Sequence, residues 1–122
     1  MHRTYAAVGA ISGFVAVAAG AFGAHALRAQ LSPAMLQVFE TGARYQMYHA
    51  LALLAAAFMA GDGECQSAIW AARFFLLGTV LFSGSLYALA VTGISGLGLI
   101  TPFGGVAFLA GWLCLATATR GR

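Results

Sequence analysis

Two long stretches of the chain carry no charged side chain, and they constrain its fold more than any other feature. Residues 4–24 form the first stretch, which is 21 residues long, and residues 74–119 form the second, which is 46 residues long. A helix needs about 20 predominantly apolar residues to cross the hydrocarbon core of a bilayer, which is roughly 30 Å thick. The first stretch is therefore long enough for one membrane span, and the second is long enough for two.

The composition excludes an ordinary water-soluble domain. Hydrophobic residues make up 61% of the chain and charged residues 7%, whereas charged residues make up about 25% of a typical soluble domain. The net charge of +3 comes from scattered arginines, and the chain has no lysine. Nucleic-acid-binding faces need clustered basic residues. We therefore predict an integral membrane protein that has the lipid bilayer as its surroundings and binds no nucleic acid.

Helix start and stop signals divide the chain into four segments. Ser32 and Pro33 are typical of an N-cap and the first helical position, Thr101-Pro102 repeats that signal, and glycines at 61 and 63 end a helix. In lipid, backbone polar groups must bond within the segment, which favours helices throughout. We predict one all-α membrane domain over residues 1–122, a polytopic bundle of four transmembrane helices at approximately 4–26, 33–60, 67–90 and 102–119.

The first stretch has a second interpretation, a cleaved signal peptide. Arg3 would supply its basic region, and Ala24-His25-Ala26 resembles a cleavage site. The apolar core of a signal peptide typically has about 7–15 residues, and this stretch is longer. We therefore favour a membrane span.

Small residues recur along the first predicted helix at helical spacing. At about 100° per residue they fall on one narrow face. Residues without bulk allow the backbone of another helix to approach closely in a membrane. We predict a helix-packing face that consists of Gly9, Gly13, Ala16, Gly20 and Gly23.

Polar side chains gather on one half of the second predicted helix. Glu40 and Arg44 have the spacing and order of a favourable helical ion pair, and we expect them to pair with each other. Ionisable residues within a span are candidates for function, whereas charges and tyrosines near a membrane boundary can simply anchor a helix. Both interpretations stay open, and catalysis is the least favoured. The candidate polar cluster comprises His25, Glu40, Arg44, Tyr45, Tyr48 and His49.

The sequence gives no sign of a metal or another cofactor. Metal sites need convergent His, Cys or carboxylate ligands, and we expect His25 and His49 to differ in membrane depth by about 10 Å. Cys65 and Cys114 do not make a disulfide framework. Because no catalytic motif is recognisable either, we predict that the protein is not an enzyme.

The arginines predict an orientation. Arg3, Arg120 and Arg122 lie near the termini, whereas Arg28 and Arg44 lie towards the opposite side. Basic residues are enriched on the cytoplasmic side of membrane proteins. We therefore predict a multi-pass protein with cytoplasmic termini, and we expect Cys65 to be labelled from the cytoplasmic side.

Several segments resemble one bacterial family. These segments are GAFGAHAL at 20–27, FETGARYQMYHAL at 39–51, LFSGSLY at 81–87, ITPFGG at 100–105 and GW at 111–112. They resemble domain-of-unknown-function family 423, the YgdD-like inner-membrane proteins, and are similar to the eukaryotic transmembrane protein 256. The resemblance implies a four-helix protein of the bacterial inner membrane, with no established biochemical role. It also implies that the block at 39–51 is the signature of the family, without a catalytic or ligand role for its residues.

Three functions are compatible with this sequence. The small extramembrane mass and the small-residue face favour a non-enzymatic accessory or assembly partner, either in a homo-oligomer or in a larger membrane complex. A small transporter or channel that uses the polar face of the second helix is one alternative. A lipid- or quinone-binding protein is the other.

Overall fold

In the computed structural model, which describes residues 1–120, the chain forms four helices that run in alternating directions. A 3₁₀ turn at Ser95–Leu99 precedes the last helix. The helix ends differ from the predicted ends by at most two residues, and Arg122, which entered the predicted orientation, lies outside the described residues. The helices are α1 (Arg3–Leu27), α2 (Pro33–Met59), α3 (Gln66–Thr92) and α4 (Thr101–Ala118).

Local signals fix both ends of α2. The Ser32 hydroxyl accepts a hydrogen bond of 3.2 Å from the Met35 backbone N–H, and Pro33 occupies the first turn, which confirms the predicted cap. After the helix, Gly61 and Gly63 have positive φ angles of 60° and 95°. Glycine adopts this left-handed backbone without steric cost, so α2 ends here.

The start of α4 was predicted only in part. The helix begins at Thr101, one residue before the predicted start at 102, and its capping residue is Ile100, so the expectation that Thr101 caps the helix is wrong. The Thr101 hydroxyl instead shares a hydrogen bond of 2.5 Å with the Ser85 hydroxyl of α3. Its oxygen therefore joins two helices rather than closing the end of one.

The chain is a polytopic membrane protein. Three helices are long and apolar enough to cross a bilayer: α1, α3, and α4 together with the turn before it. Helix α2 does not meet that criterion because it carries Glu40, Arg44 and several uncharged polar side chains. Large apolar side chains cover the outer surface, as contact with lipid requires, and they include Phe14, Phe22, Phe58, Leu109 and Leu113.

Successive helices pack against one another, and α2 occupies the centre. Helix α1 lies along α2, and α3 lies along α4. Between α2 and α3 the contact is made by small side chains, with Ala56, Ala71 and Ala72 fully buried around Phe75. Helices α2 and α4 touch at few places, so a groove remains between them.

Two helices of the bundle are each interrupted by a π-helical turn, and the two turns lie at the same height along α2. They span Ala18–Gly23 in α1 and Thr79–Ser83 in α3. Both turns lie beside the same point of α2, because Gly20 faces Ala43 and the Ser83 hydroxyl donates a hydrogen bond of 2.7 Å to the Gly42 carbonyl. A π turn adds a residue and changes the direction of the side chains that follow. Here the turns aim α1 and α3 at the small residues of α2.

Candidate functional site

The residues of the predicted polar cluster are divided among three places. His25 lies exposed near the end of α1, where its Nδ1 atom accepts a hydrogen bond of 3.3 Å from the Arg28 guanidinium. Glu40 and Arg44 face α1. The remaining members, Tyr45, Tyr48 and His49, face α4. The cluster is therefore not one site.

The expected ion pair between Glu40 and Arg44 is wrong. Both side chains are exposed, and in residues 1–120 no ion pair joins them. A spacing of four residues allows a pair but does not impose one, since two exposed long side chains lose conformational freedom when they pair. Both residues line a shallow groove of about 280 Å³ between α1 and α2, whose floor includes the small residues Ala16, Gly20 and Ala43.

A larger groove opens sideways between α2 and α4. Its volume is about 620 Å³, which lies within the range of about 300–1,000 Å³ that is usual for small-molecule sites. Pro102, Gly105, Val106 and Leu109 form its α4 rim. The other lining residues are aromatic, namely Tyr45, Tyr48, His49, Phe82, Phe108 and Trp112.

His49 is buried at the back of this groove, and both of its ring nitrogens are occupied. The Nδ1 atom lies 2.7 Å from the Tyr45 carbonyl, and the Nε2 atom lies 3.1 Å from the indole nitrogen of Trp112. A carbonyl can only accept and an indole N–H can only donate. The imidazole is therefore the neutral tautomer with its proton on Nδ1, and it links α2 to α4.

Aromatic packing holds the imidazole of His49 in place. Its ring stacks on Phe108 with centroids 3.5 Å apart and planes 6° apart, and the ring centroid of Phe75 lies 5.6 Å away. A metal ion at Nε2 would have to displace the Trp112 N–H. Among residues 1–120, no group of three or more His, Cys, Asp or Glu side chains could hold a metal ion.

A hydrogen-bond chain through Gln46 was missed in the sequence. The Tyr87 hydroxyl of α3 donates to Gln46 Oε1 at 2.6 Å, and Gln46 Nε2 donates to the Ser12 hydroxyl of α1 at 3.2 Å. Gln46 is buried and lies outside the polar half of the α2 helical wheel. A rule that could have found it is that an amide within an apolar span must be bonded by its neighbours.

The small-residue face of α1 lies against α2. Gly9 packs on the Ala50 carbonyl and Leu54, and Gly23 packs on the Phe39 ring. Gly13 faces Ala50, Gly20 faces Ala43, and Ala16 is buried. The face therefore contributes to the bundle itself.

Helices α3 and α4 approach each other closely through glycines that lie outside the predicted small-residue face of α1. A Cβ atom on Gly104 would lie 2.7 Å from the Phe82 Cα atom, and a Cβ atom on Gly111 would lie 2.7 Å from the Phe75 ring. At Gly78 the Phe108 ring occupies the space that a Cβ atom would need. Because these contacts leave no room for a methyl group, the three glycines set the distance between α3 and α4.

These features define a class of protein. The chain is a small all-helical polytopic membrane protein, its buried polar groups bond helix to helix, and the groove between α2 and α4 opens sideways. Comparison with known families then gives the affiliation. The chain belongs to the family described as a protein of unknown function, DUF423, whose model matches residues 19–105.

Curated relatives agree with this affiliation. The UPF0382 membrane protein YwdK of Bacillus subtilis (strain 168) is 48% identical over 120 residues, which cover 95% of each chain. The UPF0382 inner membrane protein YgdD of Escherichia coli (strain K12) is 46% identical over 112 residues, which cover 91% of this chain and 86% of the relative. No solved structure matches the chain. The predicted family and a membrane location are thereby confirmed.

Proposed function

We propose that this protein is a non-enzymatic accessory protein that assembles with another membrane protein through the groove between α1 and α2. One observation carries the proposal. Glu40 and Arg44 expose opposite charges on α2 without pairing with each other, beside a groove with a small-residue floor. Such a surface suits a partner helix that approaches closely and supplies complementary charges.

The depth of these charges supports a protein partner. Ala43 lies opposite Gly20, which is five residues beyond the middle of α1, or about 8 Å along the helix axis. Half of the hydrocarbon layer is about 15 Å thick, so the backbone of Arg44 lies within that layer. An arginine at the centre of a span costs about 2.5–3.5 kcal/mol on insertion scales, and this value is an upper limit for Arg44, which lies away from the centre. A partner carboxylate or a polar side chain would reduce this cost.

The interior of the bundle supports assembly over transport. All four helices contribute polar groups near the middle of the bundle, as a transport path would require. However, Ser12, Gln46 and Tyr87 bond one another, and His49 bonds Trp112. These groups therefore hold helices together and offer no exchangeable sites for a solute.

We propose that the protein lies in the bacterial inner membrane with its termini in the cytoplasm. In this arrangement α2 spans the membrane in addition to α1, α3 and α4. Helix α2 lies along α1, which is long enough to span. The N-terminal amine lies 3.7 Å from the Asp62 carboxylate, so the N-terminus and the α2–α3 loop share one end of the bundle. Arg3, Arg73 and Arg120 lie towards that end, which the positive-inside rule assigns to the cytoplasm.

The partner proposal predicts a charge-dependent contact at the α1–α2 groove. A photo-crosslinking amino acid in place of Met47, which lines the groove, should join the chain to a defined protein in membranes. The substitutions Glu40→Gln and Arg44→Gln should each reduce that product about tenfold, because losing an interfacial charge partner costs roughly 1.4 kcal/mol or more. Quantitative blotting of the crosslinked band gives the yield, and two differently tagged copies show whether the partner is a second copy.

Thr41→Val is the matched control for this experiment. Thr41 lies beside Glu40 on α2, but among residues 1–120 its hydroxyl bonds only the Gln37 carbonyl of its own helix, so the crosslink should persist. Thermal unfolding in detergent should change little for Glu40→Gln, since the Glu40 side chain is exposed on the bundle and makes no ion pair within residues 1–120. A crosslink yield that does not respond to either charge substitution would contradict the proposal.

The orientation is tested by thiol labelling, for which Cys65 is a poor reporter. The structure buries Cys65 against Ala60 and Ile69, so a maleimide would reach its thiol slowly from either side of the membrane. In a chain with both cysteines replaced by alanine, Asp62→Cys exposes a thiol at the proposed cytoplasmic end, since the Asp62 side chain is 91% exposed. A membrane-impermeant maleimide should label it only after permeabilisation, whereas Gly96→Cys in the opposite loop should react in intact cells. Labelling of Asp62→Cys in intact cells would reverse the orientation.

A further inference from the structure

The groove between α2 and α4 has the properties of a ligand site rather than of a lipid-covered surface. It is separate from the Glu40–Arg44 surface, because it opens on a different side of α2. Its α4 wall extends from Pro102 to Trp112, which is about 15 Å along the helix axis. His49 and Phe108, which stack near the middle of the bundle, form its back. The site therefore lies at the depth of the lipid tails.

The walls of the groove favour a flat ring. Tyr45 contacts Phe82 with centroids 4.8 Å apart and Tyr48 with centroids 5.5 Å apart. Phe108 and Trp112 complete the lining on the side of α4. Aromatic side chains bind planar rings by stacking and edge contacts, whereas a flexible acyl chain does not use this geometry.

The polar groups of the groove favour a ligand that accepts hydrogen bonds. His49 and Trp112 are occupied with each other. Tyr45 and Tyr48 line the groove, and within residues 1–120 the hydroxyl of neither residue makes a hydrogen bond. A phenol surrounded by hydrocarbon has no water to bond, so a carbonyl oxygen on the ligand would satisfy it.

A membrane offers carbonyl oxygens of two common kinds, lipid esters and ring carbonyls, and they lie at different depths. The ester carbonyls of glycerolipids lie in the interfacial region, outside the hydrocarbon core of about 30 Å. A ring carbonyl on a molecule dissolved among the lipid tails can reach the middle of the bilayer. A partner helix is a poorer fit, because its backbone carbonyls already bond within the helix.

We propose that the groove between α2 and α4 binds a membrane-dissolved quinone, a flat apolar ring that carries carbonyl oxygens and an isoprenoid or alkyl tail. The ring lies among Tyr45, Phe82, Phe108 and Trp112, and its carbonyl oxygens accept hydrogen bonds from the Tyr45 and Tyr48 hydroxyls. The tail leaves through the lateral opening, past Val106 and Leu109, which are 64% and 67% exposed. This inference does not depend on the accessory role.

The two tryptophans of the chain make a direct binding assay possible. Trp112 lines the groove, whereas Trp70 is not among the lining residues and lies near the start of α3, beneath the Arg73 guanidinium. Replacing Trp70 with phenylalanine leaves Trp112 as the only tryptophan. In nanodiscs of phosphatidylethanolamine and phosphatidylglycerol, a decyl-substituted 1,4-benzoquinone should quench its emission with a saturable curve. Quenching that rises linearly, without saturation, would overturn the proposal, because it would report only the partition of the quinone into lipid.

Gly105 offers a variant that fills the groove without disturbing the bundle. It lines the groove, and a Cβ atom at this position would meet no atom of residues 1–120 within 4 Å. Gly105→Leu should therefore remove the saturable quenching while the thermal unfolding midpoint stays near that of the parent. If saturable quenching persisted in Gly105→Leu, the quinone would be bound elsewhere and the proposal would be wrong.

The phenols are tested separately. Tyr45→Phe and Tyr48→Phe should each weaken quinone binding about 3- to 10-fold, the equivalent of one hydrogen bond. Tyr5→Phe removes a phenol near Arg73, away from the groove, and should leave affinity unchanged. Added diacylglycerol should not compete, since its esters favour the interface. Equal competition by diacylglycerol, or unaltered affinity in both groove tyrosine variants, would overturn the assignment of a ring carbonyl ligand.

Discussion

Replacing Gly104 with alanine is expected to lower the free energy of unfolding by about 1–3 kcal/mol, the usual cost of overpacking. The added methyl group would lie 2.7 Å from the Phe82 Cα atom and also against the Phe82 backbone nitrogen. Because these are backbone atoms within a helix, no side-chain rotation can make room, and α3 and α4 must separate. Thermal or denaturant unfolding of the purified protein in a mild detergent measures the loss.

The neighbouring glycine is the matched control. At Gly105 a methyl group would meet no atom within 4 Å in the part of the chain that the structure describes, and alanine is the better helix former by about 1 kcal/mol. Gly105→Ala should therefore leave stability unchanged or raise it slightly. If Gly104→Ala lowers the free energy of unfolding and Gly105→Ala does not, the effect arises at the α3–α4 contact. Equal effects at both positions would show that the contact does not set the helix distance.

His49→Ala is expected to lower the free energy of unfolding by about 2–5 kcal/mol, which is the range for truncating a large buried side chain. The substitution removes the stack on Phe108 and leaves the Trp112 N–H without an acceptor. Because the same side chain joins α2 to α4, its loss weakens both packing and hydrogen bonding at one point. Unfolding of the purified variant in detergent measures the effect.

His25→Ala is the control for this prediction, since His25 is exposed near the end of α1 and should change stability by no more than about 0.5 kcal/mol. Trp112→Phe and the double variant complete a thermodynamic cycle for the hydrogen bond. A coupling of about 0.5–2 kcal/mol is expected between His49 and Trp112. Additive effects of the two substitutions would mean that the bond contributes nothing to stability.

The helices could be predicted because their signals are local. Uncharged runs of sufficient length, the Ser32-Pro33 start and the glycines after α2 each act within a few residues. The role of Thr101 could not be predicted in the same way, because the partner of its hydroxyl, Ser85, lies on another helix. Nearby residues in the sequence determine where a helix starts. The hydrogen-bond partner of the Thr101 hydroxyl depends instead on how α3 and α4 pack.

The division of the polar cluster required the tertiary structure. On a helical wheel, Glu40 and His49 belong to one polar half, but a half-circumference is wide enough to face two different neighbours. In the bundle, Glu40 faces α1 and His49 faces α4. The wheel also gave no reason to single out Gln46, whose partners Ser12 and Tyr87 come from α1 and α3.

The glycines illustrate a different limit. The row on α1 was visible because several small residues repeat at a regular interval, and the structure places that row against α2. The tighter α3–α4 contact uses only Gly78 on one helix and Gly104 with Gly111 on the other. The seven-residue spacing on α4 was a usable signal, but two positions are too few to stand out in a chain with 16 glycines.

The unequal apolarity of the helices has a consequence for how the chain enters the membrane during synthesis. Among the four helices described, α1 and α3 are apolar enough to partition into lipid unaided, whereas α2 between them is not. Within the bundle the amide of Gln46 and the imidazole of His49 are bonded by side chains from α1, α3 and α4. Helix α2 would therefore leave the translocation machinery together with a neighbour, as a hairpin. The same bonds that hold the finished bundle would then decide the order in which its parts are released into the bilayer.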